Sequence, residues 1–532
     1  MKVNNIKSVL CAATALVALS SCELDQYPVG TLTNDQAWET FDGAERNYNG
    51  LLVSLRSMSG GAYQYLSDLQ TDLFNERVTC ASYNQINEWT FTSSLFDGDA
   101  IWSANYSLIL QANDLLEHLP KFMGAGTAKA QLAKGYYYRG AAYFSRAYAY
   151  TNLLTKYCDR YDEATAGTAL GLPIVEAVSA EAKPARSTMA YTCKYIQDCL
   201  DSAKVNFERG MTLGYDNTSI GSSAVHQPGY DAAIALNARF AINTKQYDLA
   251  IDQAQRVIDS YPLTTASGME TMLRLDKSNE IIYEPIQTDE EQGQSWGAFI
   301  GYDIRSMKDE DGSTYYDLYG YNPSYLPTKN FMDLFSSDDV RRDLYFVCPW
   351  FGGSWDSDYK ISGRGDVRDS GHGFWKFSGG NNDILKESQK GYYYAYPYNM
   401  AKPFRSAELY LIIAEASLLK STPDEEQAQF FLTQLRSNRM TSDADVTETG
   451  NDLKQLMMDE WAREFAGEGF RFDCLKRWNV GFERKPQIFN ETILSGKADE
   501  LKITADNFRW TWEIPQQERQ TNPNIVSNWG GR

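Results

Sequence analysis

The chain has 532 residues, with 50 Lys and Arg against 70 Asp and Glu, which gives a formal net charge of −20. Because phosphate neutralisation needs a surplus of Lys and Arg, this charge argues against a nucleic-acid-binding protein. Hydrophobic residues make up 43% of the chain and aromatic residues 13%, enough for a large core, which excludes a disordered protein.

Residues 1–21 are predicted to be a secretory signal peptide. Two lysines form its positive end, and the apolar stretch 8–19 is too short to span a bilayer. The stretch ends in Leu-Ser-Ser-Cys, which resembles a bacterial lipobox with Cys22 as the acylated residue. Ordinary cleavage near Ser20 is the alternative. No later stretch has the roughly 20 apolar residues of a membrane helix, so we expect acyl chains on Cys22 to be the membrane anchor.

Three helices are predicted in the next part of the chain. Apolar residues recur at helical spacing over 100–119, and Pro120 ends the pattern. Ala130 to Tyr157 mixes alanines with many tyrosines, which is typical of a buried and closely packed helix. Ser187 is a plausible N-cap for a third helix that ends near Asn206.

Two later segments carry the residue spacing of tetratricopeptide repeats. Ala238, Ala250 and Pro262 occupy the small-residue and proline positions in the first, and Ala416 and Ala428 the small-residue positions in the second. Small residues there let two antiparallel helices approach closely. Because the segments are not contiguous, we predict an all-α dominated fold, a tetratricopeptide-like helical scaffold with long loop-rich insertions and a few short strands.

The main insertion, residues 265–400, lacks helical periodicity and is rich in Trp and Tyr among Gly, Ser, Asp and Asn. We predict long ordered loops with short strands. Aromatic rings stack on the apolar face of a pyranose, while neighbouring amides and carboxylates bond its hydroxyls. Trp296 and Trp355 are the predicted platforms, with anchoring of a loop into the core as the alternative role of each.

The segment Asp72–Tyr83 is the second predicted binding region. It is interpreted as a loop that alternates short polar groups with single rings, as a hydroxyl-rich ligand requires. The predicted contacts are Asp72, Asn75, Arg77 and Tyr83.

The sequence offers few residues for a metal site or for nucleophilic catalysis. His118, His226 and His372 are far apart and in no ligand spacing, which argues against a His-based zinc site or a Ser-His-Asp triad. No cofactor is predicted, except that loop carboxylates could hold a structural calcium ion. Six cysteines that remain after signal removal and lipidation show no C-x-x-C spacing and are expected to be buried thiols: Cys80, Cys158, Cys193, Cys199, Cys348 and Cys474.

Carboxylate pairs leave glycoside hydrolysis open, because that reaction uses two Asp or Glu side chains roughly 5–10 Å apart. Asp338 with Asp339 and Asp309 with Glu310 are such pairs. In so acidic a chain, such carboxylate pairs are expected to occur by chance, and most of them are expected to lie on solvent-exposed surfaces.

A cluster of charges is predicted on one side of a helix that contains Glu460, Arg463, Glu464 and Glu468. We expect a structural charge network, because apolar residues of the same segment would pack inward. An anion site around Arg463 and Arg471 is the alternative.

Several motifs together resemble the SusD/RagB family, the surface glycan-binding lipoproteins of Bacteroidetes nutrient uptake systems. The resemblance spans nearly the whole chain from Cys22 onward. It rests on the mature start at 22–28, on 100–113 and 139–144, on R-x-x-E-x-x-L-x-x-A-E-A at 405–416, on R-E-x-x-x-E-G-x-R-x-x-x-L-K-R-W at 463–478, and on Ile514-Pro515, Asn522-Pro523 and Asn528 near the end.

The resemblance implies one SusD-like domain over 22–532, with an N-terminal half of about 22–228 and a C-terminal half with the insertion of about 229–532. It also implies a lipid-anchored position at the outer-membrane cell surface, a SusC-like TonB-dependent barrel as partner, and no catalytic activity. Ligand contacts in that family come from variable loops, so no binding residue is transferred by motif.

We therefore expect a protein that captures an oligosaccharide or polysaccharide and delivers it to the barrel. Two alternatives stay open: a secreted glycoside hydrolase, and a lid-type binder of peptides or another nutrient.

Replacement of the lipidation residue, Cys22→Ala, is expected to abolish membrane attachment, because it removes the acyl anchor. Fractionation of cells that express the variant measures this. A variant that stays fully in the membrane fraction without a barrel partner would contradict the expectation.

Overall fold

The computed structural model describes residues 37–530 apart from 79, 81, 95–97, 180, 221, 288–298, 300–301, 309–313, 322, 348–372, 378–399 and 489–492. The chain divides into two compact units, Met1–Asn47 and Tyr48–Arg532. The first helix, α1 (Phe41–Met58), runs across the boundary. The account below concerns the second unit.

Helices make up most of the described elements. They are α2 (Ala62–Leu69), α3 (Asn84–Glu88), α4 (Asp99–His118), α5 (Lys129–Tyr157), α6 (Met189–Thr212), α7 (Tyr230–Asn243), α8 (Tyr247–Ile258), α9 (Met269–Leu275), α10 (Lys329–Met332), α11 (Val340–Tyr345), α12 (Ser406–Leu419), α13 (Glu425–Ser437), α14 (Gly450–Phe465), α15 (Phe470–Trp478) and α16 (Gln516–Thr521).

The strands are short and pair antiparallel, two by two. The pairs are β1 (Phe74–Glu76) with β7 (Tyr325–Pro327), β2 (Leu170–Pro173) with β3 (Arg186–Thr188), β4 (Ile281–Tyr283) with β10 (Phe404–Arg405), β5 (Tyr302–Lys308) with β6 (Thr314–Tyr321), β8 (Phe346–Val347) with β9 (Gly373–Phe374), and β11 (Phe482–Glu483) with β12 (Lys502–Ile503).

The predicted helices at 100–119 and 130–157 are confirmed as α4 and α5. The third begins one residue later than expected, because Thr188, not Ser187, caps α6 by accepting a hydrogen bond from the Tyr191 backbone N–H at 3.2 Å. Helix α6 also continues past Asn206, to Thr212.

Helix α5 is buried along most of its length and packs against α4 and α6. A glycine allows the approach of α6, since a Cβ at Gly140 would lie 2.7 Å from the Phe207 ring. The predicted close packing of this helix is therefore confirmed.

The two tetratricopeptide-like segments form helix pairs, α7 with α8 and α12 with α13. Their small residues Ala238, Ala250, Ala416 and Ala428 are fully buried. Helix α8 packs against α12, so the second pair stacks on the first although the insertion separates them in sequence. The predicted all-α dominated scaffold is confirmed.

The described part of the insertion is more regular than expected. It contains the antiparallel pair β5 and β6 and the short helices α9, α10 and α11 as well as irregular segments. Helices this short give too few turns for apolar periodicity to be visible in the sequence.

Four predicted buried thiols, Cys158, Cys193, Cys199 and Cys474, are buried and free, whereas Cys80 is only half-buried. Cys348 lies outside the described residues. In the part of the chain that the structure describes, no helix combines the length and apolarity needed to cross a bilayer. Nor do three His, Cys, Asp or Glu side chains converge there to hold a metal ion; the loop calcium site stays a prediction.

The helix α14 carries the centre of a buried charge network, as its sequence predicts. The helix ends at Phe465, however, so Glu468, which was predicted on the same helix, lies in the turn that follows. Glu464 accepts hydrogen bonds from Arg341 at 2.8 Å, from Arg439 at 3.0 Å and from Arg405. Burial alone would raise the pKa of Glu464, but the three guanidinium groups hold it well below its ordinary value.

The network extends to both sides of Glu464. Glu460 pairs with Arg341 at 2.6 Å and with Arg463 at 2.7 Å, and Glu468 pairs with Lys376 at 2.5 Å. Because Arg341 and Lys376 belong to the insertion, the network ties the insertion to the scaffold.

The alternative anion site around Arg463 and Arg471 is not supported. Arg463 is paired with Glu460, and Arg471 forms a bidentate pair with Asp72 at 2.7 and 2.9 Å. Both guanidinium groups already have carboxylate partners.

Replacement of the central carboxylate, Glu464→Gln, is expected to lower the free energy of unfolding by about 3–5 kcal/mol, because it leaves three buried guanidinium groups undercompensated. Urea denaturation followed by circular dichroism measures the loss. Asp252→Asn, which breaks the exposed Arg256–Asp252 pair on α8, is the control and should change little. Equal effects of the two variants would contradict the central role of Glu464.

Candidate functional site

The segment that follows α2 contains a buried strand where a loop was predicted. Strand β1 pairs with β7 in the register Phe74↔Pro327, Asn75↔Leu326 and Glu76↔Tyr325. The next residue, Arg77, forms an isolated bridge with Leu494. The expectation of an exposed loop over Asp72–Tyr83 is therefore wrong for residues 74–77, because partners distant in sequence cover them.

Asp72, Asn75 and Arg77, three of the predicted contacts, are held by ion pairs or hydrogen bonds to distant parts of the chain. Asp72 is held by Arg471, as described above. Asn75 is fully buried, and its Nδ2 donates to the Asp499 backbone carbonyl at 3.2 Å. Arg77 is 3% exposed, and its guanidinium donates to the Pro323 carbonyl at 2.9 Å. These contacts support the surface from beneath; a direct contact with ligand stays a prediction.

Tyr83, the fourth predicted contact, lies at the surface and is half-buried. Tyr83 immediately precedes α3 and has a left-handed backbone conformation (φ 66°). Trp89, which follows the last residue of that helix, has the same conformation (φ 57°). Bulky residues rarely adopt this conformation, so the surrounding structure must hold them there. Part of that support is visible, since the Tyr325 hydroxyl donates to the Ser82 carbonyl at 2.6 Å.

An aromatic cluster lies beneath Tyr83. The ring of Tyr65 on α2 meets the Tyr83 ring edge to face at 6.3 Å between centroids and the Phe299 ring at 5.0 Å. Phe299 also packs on Phe74 at 4.6 Å and on Phe374 at 5.4 Å. Rings from the insertion and from the N-terminal half thus pack together in one cluster that supports Tyr83.

The other two predicted platforms, Trp296 and Trp355, lie outside the described residues. Trp296 precedes the buried Phe299 by three positions in the sequence. Sequence reasoning did not single out Phe299 or Tyr65. The only available signal for Tyr65 was the spacing of Tyr65, Leu66 and Leu69 on one face of a short helix.

Buried polar groups fix the backbone around this surface. Arg484 is fully buried and donates to the carbonyls of Leu69, Thr71 and Asn87 at 2.6–2.9 Å. Burial lowers the pKa of Arg484 to about 10. This arginine also was not predicted, because its partners are backbone carbonyls that leave no pattern in the sequence.

A second buried group connects α2 with the start of α15. Asp68 accepts hydrogen bonds from the backbone N–H groups of Gly469 and Arg471, both at 2.9 Å. Burial raises the pKa of Asp68 to about 7, although these two donors act in the opposite direction. The helix under Tyr83 is thus tied to the segment that follows the charge network.

Around Tyr83, the described residues of this segment expose an aromatic ring together with short polar groups. Ser82 is exposed, and Tyr83, Asn84 and Gln85 are half-exposed. A ring beside hydroxyl and amide groups can stack on an apolar ring face and bond hydroxyls at its edge.

The described carboxylate pair considered for hydrolysis, Asp338 with Asp339, does not form such a surface. Asp339 is 3% exposed, caps α11 by accepting from the Arg341 backbone N–H, and pairs with the Arg341 guanidinium at 2.6 Å. Asp309 and Glu310 lie outside the described residues.

Comparisons with known proteins cover both halves of the chain. The family model described as "SusD family" matches residues 279–530, and the model described as "Starch-binding associating with outer membrane" matches residues 36–241. A comparison with curated proteins finds no match.

Solved structures share the fold over nearly their whole length. A SusD superfamily protein from Bacteroides thetaiotaomicron VPI-5482 is 23% identical, with a TM-score of 0.70, and the match covers 92% of this chain and 99% of that one. A SusD-like carbohydrate binding protein from Bacteroides vulgatus ATCC 8482 is 17% identical (TM-score 0.63; 91% and 97% covered). Surface glycan-binding protein A from Bacteroides uniformis is 17% identical (TM-score 0.64; 92% and 99% covered).

The two family models match separate stretches that together include α1 to α7 and most of the insertion and C-terminal half. The solved structures reproduce the arrangement of these parts in one chain. The chain belongs to the SusD family.

Proposed function

We propose that this protein is a cell-surface, lipid-anchored carbohydrate-binding protein of the outer membrane. The observation that carries the proposal is the family match, since one matching model is described as starch-binding and associating with the outer membrane. Two solved structures with the same fold are named as carbohydrate- or glycan-binding proteins. The lipobox-like sequence before Cys22 supports the anchor.

The proposed binding surface is centred on Tyr83. Ser82, Asn84 and Gln85 supply hydroxyl and amide groups beside the ring, and the cluster of Tyr65 and Phe299 supports it. Trp296 and Trp355 of the insertion are proposed as further stacking platforms. Asp72, Asn75 and Arg77 are proposed to act mainly by holding the segment in place.

Delivery of the bound glycan to a SusC-like TonB-dependent barrel is the proposed role in uptake. It rests on the resemblance of the sequence motifs to the family. A binding role without catalysis is proposed on the same ground, and a reducing-sugar assay separates it from hydrolysis.

Affinity electrophoresis in gels that contain different polysaccharides tests the proposed function. We expect retardation in at least one gel, together with no release of reducing sugar from that polysaccharide by the purified protein. Release of reducing ends at enzymatic rates would favour a hydrolase, and migration unchanged in every gel would contradict carbohydrate binding.

The variant Tyr83→Asn tests the surface. Asparagine tolerates the left-handed backbone, so the variant removes the ring with little added strain. We expect a loss of roughly 1–3 kcal/mol in affinity, the size of a stacking contact on an aromatic platform. Calorimetric titration with the retained polysaccharide measures it.

Tyr191→Asn is the matched control, because Tyr191 is 49% exposed on α6. It should leave the affinity unchanged. A fall in the melting temperature of Tyr83→Asn without a change in affinity would remove Tyr83 from the binding surface.

A further inference from the structure

A cavity of about 410 Å³ lies apart from the Tyr83 surface. Its lining comes from the loop that follows α5, from residues 475–480 at and after the end of α15, from residues 505–511, and from Asn528. Its volume falls within the roughly 300–1,000 Å³ of small-molecule sites. We call it the C-terminal cavity, and the lining residues used below are Asp159, Arg160, Lys476, Asn479, Phe508 and Trp510.

Hydrogen bonds connect the loop after α5 with α15 and with residues 505–511. Lys476 is 8% exposed, and its ammonium donates to the carbonyls of Thr155 at 2.9 Å and Cys158 at 2.6 Å. The Thr511 hydroxyl donates to the Asp159 carboxylate at 2.6 Å. The walls are therefore fixed in the absence of ligand, which lowers the entropic cost of binding.

Two rings, Phe508 and Trp510, lie in the cavity wall beside the aliphatic residues Leu475, Val480 and Ala505. Trp510 is 5% exposed, and its indole N–H donates to the Thr504 carbonyl at 2.9 Å. Phe508 is half-buried and meets the ring of Trp529 edge to face at 5.2 Å. Their neighbours thus fix the orientation of both rings.

The polar rim is exposed and nearly balanced in charge. Asn479 has a left-handed backbone (φ 58°), and its side chain is exposed, as is Arg160. The lining carries three acidic residues, Asp159, Asp162 and Asp506, and two basic ones, the exposed Arg160 and the buried Lys476. A slight acidic surplus disfavours phosphates and acidic polymers, whereas fixed rings beside amide, carboxylate and guanidinium groups suit a neutral polyhydroxylated ring.

We propose that the C-terminal cavity is a second carbohydrate site, which takes one or two neutral pyranose units. The inference rests on the proposed carbohydrate function and adds a site separate from the Tyr83 surface. Trp510 contacts Trp89 at 5.1 Å, and Trp89 ends the helix that follows Tyr83, so this short helix connects the two sites.

Crystals of the full chain soaked in maltose and cellobiose, together with calorimetric titration of the same sugars, test the proposal. We expect sugar density in the C-terminal cavity and a binding event that Tyr83→Asn leaves intact. Ala505→Trp, which fills the cavity from its lining, should weaken that event at least tenfold, and Arg160→Ala several-fold. Ala130→Trp, an exposed site at the other end of α5, is the matched control and should change nothing.

Melting curves establish whether Ala505→Trp folds. If it does not fold, the sugar affinity of Arg160→Ala tests the site instead. The site is overturned if a polysaccharide retards the protein but the soaked crystals show no sugar in the cavity. It is also overturned if neither cavity variant changes binding. In both cases the proposed function still stands. If no gel retards the protein and the crystals show sugar neither at the Tyr83 surface nor in the C-terminal cavity, the proposed function and the second site are both overturned. Density in the cavity that Ala505→Trp removes supports the site.

Discussion

Three arginines from different parts of the chain share one buried carboxylate, Glu464, and much of the structure depends on this arrangement. Arg341 comes from the insertion, Arg405 from the strand before α12, and Arg439 from the turn just after α13. A buried carboxylate without these partners would be costly, as would each buried guanidinium without the carboxylate. The contacts therefore define a single relative placement of the stacked helices and the insertion.

This constraint reaches the Tyr83 surface through α15. The segment after Glu464 carries Glu468 and then Gly469, where a Cβ would lie 2.2 Å from the Gln64 carbonyl of α2. Asp68 of the same helix accepts from the Gly469 N–H, and Tyr65 supports the Tyr83 ring. A chain of direct contacts thus connects the charge network with the ring proposed to bind carbohydrate.

The sequence allowed prediction of what is encoded locally. Helices α4 and α5 and both repeat pairs follow from apolar periodicity and small residues, and the charge spacing on α14 predicted its network. The strand β1 could not be predicted, because its partner β7 lies about 250 positions further along the chain and three residues carry no period. The roles of Arg484 and Phe299 could not be predicted for a related reason. Arg484 is held by backbone carbonyls and Phe299 lies in a segment without periodicity, so neither has a local sequence pattern.

The stacking of α8 on α12 across the insertion bears on how such a protein can diversify. The chain entropy lost on closing a loop grows only with the logarithm of its length, so a longer or shorter insertion changes the stability of the helical stack little. Among the described residues of the insertion, side chains such as Arg341, Lys376 and Phe299 anchor it to the rest of the chain. Exposed residues between such anchors can change in number and kind at little cost to the stack, which would let one architecture present many different surfaces and makes it a natural frame for grafting new recognition loops.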